Sequence, residues 1–197
     1  MRVKVALTTW HSPARPSARG YEIACAPVAV ADVAAVLQRL EPGAVADGAF
    51  LLLPLRTTDA GGFAAAVAST RAAAIRPRIG VVLDRETFER LEPGDIAGCD
   101  AGIVLDRVNA TTPLSTLIRE GLEAVRFDSA FVADATRALR AGAALNALLA
   151  LARDLGLATL GPGADAANGT AFGFDYELRS AVKSAARPAQ RVSSVTI

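Results

Sequence analysis

The chain has 197 residues, 52% of them apolar and 21% charged, with a formal net charge of +1. That length and apolar content fit one packed domain and exclude a disordered chain. The near-neutral charge argues against an electrostatic nucleic-acid binder, and no apolar run reaches the ~20 residues of a membrane span. Taken in chain order, short apolar runs predict eight strands at residues 3–8, 21–26, 50–55, 79–84, 102–106, 124–128, 158–161 and 170–174. Helical spacing falls between them at 30–40, 62–74, 87–91, 113–121, 133–155 and 177–183. Pro113 suits a first helical turn, and Gly156 sits where a C-terminal glycine ends the longest helix. Residues 11–20 have no helical period and read as a loop, so the first two strands are expected to pair antiparallel.

No linker divides the sequence. One domain is expected over residues 1–183, followed by a loosely ordered tail over 184–197. The first residues read as a strand and lack the apolar core and cleavage region of a signal peptide. Cys25 and Cys99 are isolated, as reduced core cysteines of a cytoplasmic protein would be. Strand and helix alternate as in a (β/α) barrel, although such barrels usually need ~250 residues, so the connections must be pruned. A doubly wound open sheet is the rival. It calls for a glycine-rich turn after the first strand, and none is present.

Three apolar runs end in aspartate, at Asp84, Asp106 and Asp128, spaced 22 residues apart. Side chains at the carboxyl ends of barrel strands converge on one face. Carboxylates there are the ligands a hard cation needs, and two such ions can hold a phosphodiester and activate water. Aspartate is equally a helix N-cap, and Asp84-Arg85-Glu86-Thr87 has that pattern. Arg107 follows Asp106, and Arg126 lies two residues before Asp128. A guanidinium near a carboxylate can take the space and satisfy the charge of a divalent ion. A working metal site, a defunct one and plain capping or ion pairing all remain open on these residues alone. Gly161-Pro162-Gly163 lacks the lysine and hydroxyl of a P-loop and reads as a turn. His11 is the only histidine, with no nucleophile set up beside it, so zinc chemistry is not expected.

The order of these segments resembles a shortened, degenerate EAL-type domain, the family of bacterial cyclic-di-GMP phosphodiesterases. Ile103-Val104-Leu105-Asp106-Arg107-Val108-Asn109 resembles the family's L-D-D-F-G-T-G segment. Val125-Arg126-Phe127-Asp128-Ser129-Ala130-Phe131-Val132 resembles its L-K-I-D-R-S-F-V strand, and residues 149–157 resemble the helix end before A-E-G-V-E. Gly20-Tyr21-Glu22-Ile23-Ala24 falls where G-Y-E-A-L would be. The resemblance implies a TIM-like (β/α) barrel of the EAL type, with an antiparallel first strand and pruned helices.

It also implies where the family's site has changed. Glu22, Asp106 and Asp128 match family acids, and Asp84 replaces a glutamate. The second aspartate of the pair is Arg107, the metal-binding asparagine is Pro54, and the catalytic lysine is Arg126. The first glutamate of A-E-G-V-E becomes Pro162 and the second Asp165, while the phosphate-binding arginine after E-A-L becomes Ala26. Two-metal catalysis depends on ligand count and placement, so no metal or other cofactor and no hydrolysis are expected. The expected role is that of an inactive regulator acting through a protein partner, which the sequence does not identify. A homodimer is offered by family analogy, with no nucleic-acid polymer and no membrane as partner. The alternative is a receptor that binds cyclic-di-GMP without cutting it: Arg126 could hold phosphate, but Ala26 and the altered loop at residues 108–111 speak against it. An active magnesium-dependent phosphodiesterase ranks third.

Overall fold

Short, mostly continuous apolar runs form the central strands of the computed structural model, which describes residues 7–15, 19–23, 28–29, 49–56, 78–92, 94, 101–162 and 172–178. The strands are β1 (Leu7–His11), β2 (Arg19–Ile23), β3 (Val28–Ala29), β4 (Phe50–Arg56), β5 (Arg78–Leu83), β6 (Gly102–Val108), β7 (Leu122–Phe127), β8 (Ala158–Pro162) and β9 (Tyr176–Leu178). The helices among the described residues are α1 (Arg85–Arg90), α2 (Leu114–Leu117), α3 (Ser129–Ala135) and α4 (Leu139–Asp154).

Strands β4 to β9 pair in parallel, each with its sequence neighbour. Strand β1 lies antiparallel between β9 and β2, and β2 returns parallel to β4. The circuit therefore closes as an eight-stranded barrel, with the two-residue β3 continuing along β4 beyond β2. Closure rules out the open doubly wound sheet and gives a (β/α) barrel with the expected antiparallel first strand.

Strand alternation divides the core into two layers. Leu51, Leu53, Val81, Leu83, Ile103 and Leu105 point outward and pack with Phe88 of α1, Val132 of α3 and Leu145 and Leu149 of α4. Leu52, Val82, Val104, Ala124 and Leu160 point inward and meet the ring of Trp10. Pro54 also falls on the inward parity of β4. Its missing N–H costs little there, because β2 pairs with β4 only as far as Leu52 and β3 begins at Leu55.

Several predicted boundaries are corrected. His11, Arg19 and Gly20 are strand rather than loop, and β1 runs on through Trp10, because β1 is hydrogen-bonded on both sides. The predicted helix over 133–155 is two helices, broken at Thr136-Arg137-Ala138, with Thr136 Oγ1 donating to the Ala133 carbonyl. No proline or glycine marks that break. The predicted helix over 113–121 is a single turn. Gly156, at φ 72°, does end the long helix.

Among the described residues the last strand is β9: Phe172 to Phe174, the described part of the strand predicted at 170–174, form no strand, and Glu177 and Leu178, predicted helical, are extended. Asp175 fixes this. Its Oδ2 accepts from the Thr159 amide at 2.9 Å and from the Thr159 hydroxyl at 2.8 Å, and its own amide donates to that hydroxyl at 3.0 Å. The clasp aligns β9 beside β8, where it completes the barrel. The expected helices at 30–40 and 62–74 and the tail over 184–197 lie outside the described residues.

Candidate functional site

The carboxyl ends of the parallel strands form one mouth of the barrel. Arg126 lies on the inward parity of β7, between the outward Val125 and Phe127. Its side chain is 20% exposed, and it is held by two carboxylates. Nε donates to Asp106 Oδ1 at 2.6 Å, and Nη1 donates to Glu22 Oε1 at 2.5 Å. The second oxygen of Glu22 accepts from the Trp10 indole N–H at 3.1 Å. Strands β1, β2, β6 and β7 thus supply one connected cluster. Burial works against the charge of Arg126. The hydrogen bond to Asp106 and the attraction of Glu22 and Asp106 outweigh it and raise the guanidinium pKa above its ordinary value.

The β6 side of the mouth is shaped by a bulge. Leu105 pairs with Val125 and Val108 with Phe127, so Asp106 and Arg107 together stand opposite Arg126 alone. Arg107 takes φ 55°, a left-handed conformation that a residue with a Cβ adopts at a cost of roughly 1–2 kcal/mol. A bulge re-aims side chains next to functional sites. Here it brings Asp106 and Arg107 both to the mouth, and both line the two clefts that flank the cluster, of about 360 and 340 Å3.

Asp84, Asp106 and Asp128 line the first of these clefts together, as the strand-end spacing predicts. Two of them are helix caps. Asp84 Oδ1 accepts from the Thr87 amide at 2.8 Å at the start of α1. Asp128 Oδ1 accepts from the Ala130 and Phe131 amides at 2.8 and 3.0 Å at the start of α3. Asp84→Ala and Asp128→Ala should each lower stability by about 1 kcal/mol, the usual value of an N-cap. Urea unfolding of each variant measures it. Pro162 ends β8 and lines the second cleft. Ala26 and Asp165 lie outside the described residues.

A pair of metal ions would need acid oxygens free to bind them, and these donors are engaged within the protein. Glu22 and Asp106 are bound to an internal cation, Asp84 and Asp128 each commit an oxygen to backbone amides, and Pro54 and Pro162 offer no side-chain oxygen. Among the described residues, no three acid, histidine or cysteine side chains come together as a ligand set. The sequence sets Arg107 beside Asp106 and Arg126 near Asp128; the structure instead pairs Arg126 with Asp106, and the sequence carries no sign of the reach to Glu22 across 104 positions or of the Trp10 hydrogen bond. Only barrel closure brings those elements together.

No protein-family model matches the sequence, and no curated protein does. Solved structures do match. The EAL domain of Mycobacterium smegmatis DcpA superposes with a TM-score of 0.66 at 13% identity, covering 89% of each chain. The FimX EAL domain from Pseudomonas aeruginosa bound to c-di-GMP superposes at 0.61 and 13% identity, covering 89% of this chain and 87% of that one. The PaMucR phosphodiesterase in complex with c-di-GMP gives 0.61 at 15% identity, covering 88% and 87%. The fold is that of an EAL domain. Among the described residues, no helix is long and apolar enough to cross a membrane.

Proposed function

We propose that this chain is a non-hydrolysing EAL-fold protein that regulates bacterial signalling by binding another protein. The observation that carries this reading is Arg126. Its guanidinium neutralises Glu22 and Asp106 at the centre of the mouth, where the chemistry of such a fold would need free acids. The charge balance there is internal, and the cluster has the form of a structural tie across four strands. Four positions would stand for a dismantled site: Arg107 as a cation for an acid, Pro54 and Pro162 as lost ligands, and Ala26 as a lost phosphate contact; Glu22, Asp84, Asp106 and Asp128 would be its retained acids, with Asp84 and Asp128 serving as caps. Asp165 is assigned with the retained acids. The cytoplasm suits two isolated cysteines.

Incubation with cyclic-di-GMP and magnesium or manganese tests the claim. Hydrolysis should equal that of a protein-free control. Turnover above it, abolished by Glu22→Gln, would overturn the non-catalytic reading. Affinity capture from the native cell then identifies the partner.

A second reading, a cyclic-di-GMP receptor, rests on Arg107. This exposed guanidinium lines both clefts and could meet a phosphate. Arg126 is already paired, and Arg85, which also lines the first cleft, lies 3.9 Å from Glu89. Titration calorimetry separates the readings, with no heat at high micromolar dinucleotide expected under the first.

A further inference from the structure

The opposite, amino-terminal mouth of the barrel holds a larger cavity, of about 470 Å3. Barrel interiors of this type are ordinarily filled by layers of bulky branched side chains. Here the inward positions of four successive strands, Gly80, Gly102, Ala124 and Ala158, carry a methyl group at most. Leu52 and Val104 lean over Gly80, with Leu52 Cδ2 2.9 Å and Val104 Cγ2 3.2 Å from where a Cβ would stand, and the cavity persists beside them.

Its floor is the inner core, at Leu52, Val104 and Leu160. One wall is an aromatic pair, Phe50 and Tyr176, in edge contact with ring centroids 4.6 Å apart. The volume falls within the roughly 300–1,000 Å3 of small-molecule pockets, which combine apolar walls with few polar groups. The Glu123 carboxylate, over Gly102, is the charged group of the lining, while Phe50, Tyr176 and the apolar floor offer a ring its contacts.

We propose that this mouth is a binding pocket for a small, uncharged, ring-bearing apolar molecule, separate from the acid and arginine cluster at the other end. The reading does not depend on the proposed regulatory role. The fluorophore N-phenyl-1-naphthylamine, uncharged and brighter in apolar surroundings, serves as probe. Titration should show a saturable one-to-one rise in emission, and the amide resonances of Gly80 and Gly102 should shift. Ala158→Leu, which places a larger side chain inside the cavity, should weaken the probe at least tenfold. Ala124→Val should act in the same direction and stands in if the first variant fails to fold. Absence of a saturable rise, shifts confined to the Arg126 end, or unchanged affinity in a folded cavity-filling variant would overturn the proposal.

Discussion

Replacing Arg126 with alanine is expected to lower the unfolding free energy by about 3–5 kcal/mol, the range for breaking a buried ion pair from one side. Glu22 and Asp106 are 14% and 20% exposed, so both would be left charged in a poorly hydrated site. Arg126→Lys should recover only part of the loss, because an ammonium cannot span both carboxylates in the plane of a fork. Combining Arg126→Met with Glu22→Gln and Asp106→Asn removes the stranded charges and should restore most of the stability. Urea unfolding followed by far-ultraviolet circular dichroism gives each value. A single alanine variant as stable as the parent would show that the cluster holds nothing together.

The second large effect is expected at Trp10. This side chain is 2% exposed and is the largest residue in the inner layer of the barrel. Trp10→Ala should cost about 3–5 kcal/mol through lost burial and the void left behind. Trp10→Phe keeps an aromatic ring but loses the indole hydrogen bond to Glu22, and about 1 kcal/mol of its loss is assigned to that bond. Trp10 is the only tryptophan, so the parent's own emission reports the same unfolding transition in the Arg126 variants. If alanine and phenylalanine at position 10 cost the same, the indole's packing is not what fills the barrel.

Much of the barrel is legible in the sequence because its strands are short apolar runs separated by turn and helix patterns. Asp84, Asp106 and Asp128 mark three strand ends by their spacing alone, and their common cleft follows from the parallel register. Other features depend on contacts far apart in the chain. The break at residues 136–138 has no glycine or proline to announce it, and α4 begins after Ala138 with no side-chain cap. Strand β9 is set by the Asp175 clasp and by the need to close the circuit, not by β propensity at residues 170–174. The bulge at Arg107 is hidden because a left-handed arginine breaks the usual preference for glycine there. The cavity at the amino-terminal mouth requires knowing that Gly80, Gly102, Ala124 and Ala158 share one interior, which register alone decides.

The Arg126 guanidinium holds Glu22 and Asp106, acids that metal catalysis would need free. Manganese titration followed by electron paramagnetic resonance tests it most directly, because the free aqueous ion gives a strong six-line signal that falls on binding. The parent protein should leave that signal at its protein-free intensity up to millimolar metal. A stoichiometric loss of signal in the parent, abolished by Glu22→Gln or Asp106→Asn, would place a metal among these acids and contradict the account.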